Sequence, residues 1–222
     1  MKNLPLHHQF RTDGRSLKLF IKKMAEVLDL FSNYYIVHCD IKPENVLLSI
    51  PNPKEPNFSL KIIDFGSAYN WGDSGNLRMA TPEYMPPEFL NLLIGRNASN
   101  NSIEQLAEIS HPWSVDVWSL GAMLIEIISG IPLWIPLKCK VDIGSKSSLR
   151  FGLFAAKGRA YDKIYLKQKA LSENLKETMG EYLEFWRDSK ELYDLLVSMM
   201  RWDPKKRISP ANILKHPFLQ DV

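Results

Sequence analysis

The chain has 222 residues, which suits one domain or one large lobe and is enough to bury a sizeable core. Its formal net charge of +3 is too small to indicate a nucleic-acid partner. The 45% of hydrophobic residues and 24% of charged residues are ordinary for a soluble globular protein.

The cysteines and the apolar stretches indicate the cellular compartment. Cys39 and Cys139 have no metal-binding or redox spacing, which favours a reducing environment. The first residues lack the apolar core of a signal peptide. The longest apolar stretch is interrupted by Glu126, Gly130 and two prolines, which favours a buried helix over a membrane span. We therefore expect an intracellular protein, cytoplasmic or nuclear, without a membrane partner.

The first predicted element is an amphipathic helix over residues 15–35, where apolar side chains recur every three or four residues. Two short β-rich runs follow, NVLLSI (45–50) and FSLKIID (58–64). The prolines and asparagines of PNPKEPN between them predict a hairpin with an extended connection. Residues 65–88 have no period and predict an irregular functional loop. The polar stretch 95–110 indicates a surface excursion.

The most apolar predicted helix covers residues 114–130 and ends at Gly130 and Pro132. Residues 138–170 are basic and poorly periodic, which indicates a solvated surface, with docking of acidic partners as the alternative. Helical patterns return at 189–202 and at 209–219, where Ser209 and Pro210 suit the first positions of a helix. The pattern predicts a mainly α (α+β) fold with a small β-hairpin.

Three polar residues stand close together just before the first β run. Asp40 could orient a hydroxyl and accept its proton, Lys42 could neutralise phosphate oxygens, and Asn45 could ligate Mg²⁺ through its amide oxygen. Together they suit phosphoryl transfer, which depends on positioning and charge neutralisation. Asp64, at the end of a β run and before Phe65 and Gly66, offers a second magnesium ligand.

These residues also carry a resemblance to a known family. HCDIKPEN (38–45) followed by DFG (64–66) resembles the catalytic loop and metal-binding motif of eukaryotic protein kinases. Three further segments match in the same order: ATPEYMPPE (80–88), DVWSLG (116–121) and DPKKRISPANILKHPF (203–218). The ordered matches run from about residue 14 to residue 219.

The resemblance implies a protein kinase of the serine/threonine type that uses ATP and Mg²⁺ and acts on a protein substrate. It implies that Asp40 is the catalytic base, that Lys42 contacts the transferred phosphate, and that Asn45 and Asp64 hold magnesium and nucleotide. It also implies that Thr81 contacts Asp40 and Lys42, which favours serine and threonine substrates.

The resemblance extends to structural residues. It implies that His38 packs against Phe65, that Asp116 anchors the backbone of the catalytic loop, and that Glu88 pairs with Arg207.

Two departures accompany the resemblance. Cys39 replaces the Arg that family members use to bind a phosphorylated activation loop, a role that a thiol cannot fill. The residues before His38 contain no Gly-rich loop, strand Lys or helix Glu of an N-terminal lobe. We therefore expect residues 1–222 to be a partial domain, the kinase C-lobe with its N-lobe missing. The chain would then be a fragment, a truncated product or a lobe completed by a regulatory chain.

Other interpretations stay open at this point. Singly, Asp40 and Asp64 could be capping acids, Asn45 and Thr81 turn residues, and Lys42 a solvated charge. As a whole, the chain could be a catalytically incompetent kinase-derived lobe that binds proteins, or a small-molecule phosphotransferase.

Overall fold

The computed structural model describes residues 10, 13–49, 57–73, 80–94, 103–130, 157–184 and 188–222. Helices α1–α8 within these ranges cover Gly14–Asn33, Pro87–Ile94, Ile103–Ile109, Ser114–Ser129, Lys157–Glu173, Leu175–Leu183, Ser189–Met199 and Pro210–Leu214. Strands β1–β4 cover Ile36–Val37, Val46–Ser49, Ser59–Ile62 and Tyr69–Asn70. This part of the chain is mainly helical, as predicted.

Helix α1 confirms the first predicted element. The carboxylate of Asp13 caps the start of the helix by accepting hydrogen bonds from the N–H groups of Arg15 (3.1 Å) and Ser16 (3.3 Å). Its apolar face lies in the core and packs against α4 and α8. The helix ends before the predicted residue 35, because Tyr35 has a positive φ of 57° that a helix cannot contain.

The strands form two antiparallel pairs beside the polar cluster. Strand β2 pairs with β3 in the register Val46↔Ile62 to Ser49↔Ser59, which confirms the predicted hairpin. Strand β1 pairs with β4 and was not predicted, because two residues are too short to show a period. The two pairs hold the segments 38–45 and 63–68 between them.

Helix α4 is the centre of the core. Every residue of it except Glu126 is buried, as expected for the most apolar stretch of the chain. Gly130 ends the helix with a φ of 77°, a left-handed conformation that glycine adopts without strain, and its N–H donates to Glu126 O at 2.8 Å. Pro132, the second predicted stop signal, lies outside the described residues.

Two helices lie where the sequence predicted irregular structure. Residues 103–109, predicted as part of a surface excursion, form α3 and bury Ile103 and Leu106. Residues 157–170, predicted as poorly periodic, lie in α5, which extends to Glu173 and packs against α2. The remaining parts of the two stretches, 95–102 and 138–156, lie outside the described residues.

The C-terminal helices begin near the predicted positions but end earlier: α7 ends at Met199, and α8 ends at Leu214 and is followed by a separate 3-10 turn at Pro217–Leu219. Helix α7 covers most of the predicted segment 189–202. Helix α8 begins at Pro210, and Ser209 caps it by accepting a hydrogen bond from Asn212 N at 3.3 Å. Within the described ranges, no helix combines the length and apolar character that crossing a membrane requires.

Candidate active site

Helix α4 holds the loop after β1 in place. The buried carboxylate of Asp116 accepts hydrogen bonds from His38 N at 2.8 Å and from Cys39 N at 2.9 Å. Burial raises the pKa of Asp116, while the two N–H groups and the His38 ring act to lower it. The predicted anchoring of this loop by Asp116 is confirmed.

The ring of His38 ties the same loop to the end of β3. Its Nε2 donates to Ile63 O at 3.1 Å, and its Nδ1 accepts from Asp40 N at 3.3 Å. Because a carbonyl oxygen only accepts, Nε2 carries the ring proton. The ring also lies 4.8 Å from the ring of Phe65, which confirms the predicted packing.

The residue Asp40 is 8% exposed, and its carboxylate is the centre of a hydrogen-bonded cluster. Its Oδ1 accepts from Thr81 N at 2.9 Å. Its Oδ2 accepts from Lys42 Nζ at 2.6 Å and from Asn45 Nδ2 at 3.1 Å. Lys42 Nζ also donates to Thr81 Oγ1 at 2.7 Å. The structure therefore brings together four of the five site residues chosen from the sequence.

The charge state of Asp40 follows from these contacts. Burial acts to raise the pKa of the carboxyl group. The hydrogen bonds from Lys42 and Thr81, together with the positive charge of Lys42, outweigh burial and lower the pKa below its ordinary value. The group is therefore ionised at neutral pH, as a proton acceptor must be.

The amide of Asn45 is oriented by its donor side. Nδ2 donates to the backbone oxygen of Asp40 at 2.8 Å as well as to the carboxylate. Since the NH₂ group is used in this way, Oδ1 is the atom that could ligate a cation. The backbone oxygen of Asn45 accepts from Ile63 N at 3.0 Å, so the amide is fixed relative to the end of β3.

Asp64, the fifth residue, lies one position beyond Ile63 and is exposed. It has a left-handed backbone conformation, with φ 65° and ψ 74°, and its Oδ1 accepts from Gly66 N at 3.3 Å. Its carboxylate bonds within its own turn and not to the Asp40 cluster, within the described residues. The donor set of Asn45 and Asp64, an amide oxygen and a carboxylate, fits a hard cation such as Mg²⁺.

The segment after Thr81 is held by side chains that the sequence did not identify as site residues. Ser119 Oγ donates to Tyr84 O at 2.8 Å, and the Tyr84 hydroxyl donates to Glu126 Oε2 at 2.5 Å. Burial and the bond to Glu126 raise the pKa of Tyr84, so its hydroxyl remains a donor. The signal for Glu126 in the sequence was an acid in the apolar second half of helix α4.

The predicted ion pair between Glu88 and Arg207 is confirmed. Arg207 Nη1 lies 2.7 Å from Glu88 Oε1, and Nη2 lies 3.1 Å from Oε2. Both side chains are buried. The pair connects the start of α2 to the segment before α8.

The comparison with known families agrees with this arrangement. The family model for the protein kinase domain matches residues 3–219. The chain belongs to the protein kinase family. The match spans nearly the whole chain, so it covers the Asp40 cluster and both of the loops that form it.

Individual relatives of this protein kinase are distant. An Aurora kinase of Debaryomyces hansenii is 27% identical over 97% of this chain and 41% of its own length. The serine/threonine-protein kinase mph1 of Schizosaccharomyces pombe is 29% identical, over 100% of this chain and 30% of its own length. Calcium-dependent protein kinase 14 of Arabidopsis thaliana is 26% identical over 93% and 31%. The chain thus spans less than half the length of these relatives.

The structure shows the surroundings of Cys39, which stands where the family pattern has Arg. Cys39 is buried and has a left-handed φ of 68°. Burial raises the pKa of its thiol, and the negative charges of Asp116 and Asp40 raise it further. The position is therefore occupied by a small neutral group and offers no positive charge to a phosphate.

Apolar side chains are exposed beside the cluster. Leu47 on β2 is 50% exposed, Ile63 is 38% exposed and Phe65 is 48% exposed. Ile63 N donates to the backbone oxygen of Asn45, and Leu47 follows Asn45 by two residues in the chain. The chain thus presents an apolar surface next to its polar site.

Proposed function

We propose that this chain is the catalytic lobe of a serine/threonine protein kinase, which transfers the γ-phosphate of ATP to hydroxyl groups of proteins. One observation carries the proposal, the Asp40 carboxylate held by Thr81, Lys42 and Asn45. Family membership gives the reaction class, and this cluster gives the groups that the reaction requires.

Asp40 acts on the substrate hydroxyl in this proposal. Because its pKa is lowered, it is ionised and can accept the hydrogen bond of an incoming hydroxyl. The hydroxyl oxygen forms a bond to the γ-phosphorus as the bond to the β,γ-bridging oxygen breaks, and the hydroxyl proton passes to Asp40. Contacts to Lys42 and Thr81 hold the carboxylate in place during this transfer.

In this proposal, Lys42, Asn45 and Asp64 offset the negative charge of the phosphates. Lys42 Nζ, 2.6 Å from Asp40 and 2.7 Å from Thr81, can neutralise the transferred phosphate. Asn45 and Asp64 would hold magnesium. Bound magnesium would neutralise and orient the phosphates of ATP.

Thr81 supports the choice of serine and threonine as acceptors. Its backbone N–H and its hydroxyl bond to Asp40 and Lys42, so it lies at the position where the acceptor hydroxyl must approach. Curated relatives named as serine/threonine kinases are consistent with this choice.

The exposed apolar surface formed by Leu47, Ile63 and Phe65 suits contact with a further domain or chain next to the site. Apolar patches of this kind are commonly covered by another domain or a ligand. We propose that an N-lobe or a regulatory chain covers it, together with the nucleotide.

A phosphotransfer assay tests the proposal. Radiolabelled ATP, Mg²⁺ and peptide substrates are supplied to the chain and to the full-length product that contains it, each with and without Asp40→Asn. We expect the substitution to lower kcat of the full-length product by about 10²–10⁴-fold, because the proton acceptor is lost. Asp162→Asn, the same change at an exposed position of α5, serves as the control and should retain activity.

Two outcomes would contradict the proposal. Absence of Asp40-dependent transfer by the full-length product would favour the protein-binding lobe over the enzyme. Asp40-dependent phosphorylation of sugars or antibiotics but not of peptides would favour the small-molecule phosphotransferase.

A further inference from the structure

A buried glutamine on helix α5 stands out from its surroundings. The inward face of this helix carries Ile164, Gln168 and Leu171, at intervals of four and three residues. Gln168 is 1% exposed. An amide between two apolar side chains costs free energy unless its polar atoms are paired.

Among the described residues, one side of the Gln168 amide has a hydrogen-bond partner. Its Nε2 donates to the backbone oxygen of Met85 at 2.8 Å. Its Oε1 is buried and has no hydrogen-bond partner in this part of the chain. Within the described residues, the bond to Met85 is therefore the polar contact that offsets the burial of this amide.

Met85 is the last residue of a compact turn. Tyr84 N donates to Thr81 O at 3.0 Å, and Met85 N donates to Pro82 O at 3.3 Å. The two bonds overlap along the segment 81–85, so a displacement of Met85 is transmitted through the turn to Thr81.

The other end of this turn reaches the reacting groups. Thr81 bonds to Asp40 through its N–H and to Lys42 through its hydroxyl. A hydroxyl that gives its proton to Asp40 must lie within hydrogen-bond distance of it, so the peptide that carries the hydroxyl must pass beside this turn.

We infer that Gln168 is a positioning residue for the protein substrate, because it fixes the Met85 end of the turn 81–85 against helix α5. This inference rests on the proposed kinase function and extends it to a residue outside the catalytic motifs. Gln168 acts through Met85 and does not itself touch the reacting atoms.

The experiment compares two methionine substitutions in the full-length product. Gln168→Met keeps the length of the side chain and removes the donor to Met85. It also removes the unpaired Oε1, which offsets part of the loss, so the fold should be retained. Lys169→Met places the same residue at the next, exposed position of α5 and is the matched control. Steady-state kinetics give KM for peptide, KM for ATP and kcat, and thermal unfolding gives Tm.

Gln168→Met should raise KM for peptide about three- to tenfold, as expected when one net hydrogen bond is lost, and leave KM for ATP unchanged. Lys169→Met should change neither constant. If Gln168→Met does not fold, Gln168→Leu, which also lacks the donor, is measured in its place. This variant should likewise raise KM for peptide and leave KM for ATP unchanged.

Three outcomes would overturn the inference. Asp40-dependent transfer with an unchanged KM for peptide in Gln168→Met would overturn the inference alone. An equal rise in both Michaelis constants would also do so, because it would indicate general loosening of the lobe. Transfer that does not depend on Asp40 would overturn the proposed function together with this inference.

Discussion

Arg207 shows how a charged side chain can be buried in this chain. Its guanidinium bonds to both carboxylate oxygens of Glu88, to Ser114 O at 2.6 Å, and to Arg201 O at 3.2 Å and 3.0 Å. It also lies 5.0 Å from the ring of Trp118. Every donating nitrogen thus has an acceptor, and the positive charge is balanced by one carboxylate.

Breaking this pair should be costly. Arg207→Met leaves the Glu88 carboxylate buried without a partner, so we expect a loss of roughly 3–5 kcal/mol in the free energy of unfolding. Lys206→Met, at the exposed neighbouring position, should change it by no more than about 0.5 kcal/mol. Urea denaturation of the three proteins measures the difference. Equal midpoints for the two variants would contradict the prediction.

The lowered pKa of Asp40 predicts a pH dependence. The unfolded chain has the ordinary carboxyl pKa of about 3.9, so it binds more protons than the folded chain between that value and the lower folded one. The stabilisation from Asp40 is therefore complete above about pH 4 and is lost as the pH falls through the folded pKa. Asp40→Asn removes this contribution at every pH.

Urea denaturation of the wild type and of Asp40→Asn from pH 7 to pH 3 tests this dependence. The difference in unfolding free energy should be constant at the higher values and should change in favour of the variant below about pH 4. A difference that stays constant over the whole range, or changes in favour of the wild type on acidification, would contradict it.

At the scale of elements, helices α4 and α7 meet closely at Gly121. A Cβ atom at this position would lie 2.7 Å from Met200 Sδ and 3.1 Å from Met199 Cβ. The methionine sulfur can move, but Met199 Cβ is fixed by the backbone of α7. The absence of a side chain at Gly121 therefore sets the distance between the two helices.

Two glycine substitutions should have opposite effects. Gly121→Ala gains helix propensity but forces the helices apart, so we expect a net loss of about 1–2 kcal/mol. Gly180→Ala in α6, where a Cβ would have no atom within 4 Å, should gain about 0.5–1 kcal/mol. Thermal unfolding of the two variants provides the test. A stabilised Gly121→Ala would show that α7 adjusts without cost.

Long elements with a clear apolar pattern were predictable from the sequence. Short elements, and helices with an interrupted apolar face, were not. Helices α1 and α4 were predicted because their apolar residues are periodic or continuous and have clear ends. Helix α5 was not, because Gln168 interrupts its inward stripe and Leu166 is 62% exposed on its outer face. Burial of Gln168 depends on a contact distant in the sequence, which a local pattern cannot show.

Some residues of the site could likewise be identified from the sequence, and others could not. Asp40, Lys42 and Asn45 lie within six positions, so their types and spacing could be interpreted together. The bonds from Ser119 to Tyr84 and from Gln168 to Met85 end on backbone oxygens. Every residue has such an oxygen, so the sequence carries no signal for which one will be used.

At the scale of the whole molecule, charge and exposure predict how the described part of the chain binds a nucleotide. The carboxylates of Asp40 and Asp64 would repel a triphosphate, and Lys42 is the cation bonded within the cluster. A cation between these groups would remove the repulsion.

We therefore expect the 222-residue chain to bind ATP weakly and to lose at least about tenfold in affinity without Mg²⁺, equivalent to about 1.4 kcal/mol. Calorimetric titration with and without the metal measures this. Asp64→Asn should reduce the magnesium effect, whereas Asp73→Asn, an exposed control after strand β4, should not. Tight binding of ATP without metal would contradict the expectation.

Helix α4 has a consequence for how the loop 38–45 can open. The amide hydrogens of His38 and Cys39 are held by Asp116, a side chain in the first turn of that helix. We expect these two hydrogens to exchange with deuterated solvent only when the helix itself unfolds, at a rate set by the global stability of the chain. Amide exchange followed by NMR would then show two loop protons as slow as those of the core. Local fluctuations that expose the surrounding surface would leave the base of this loop closed.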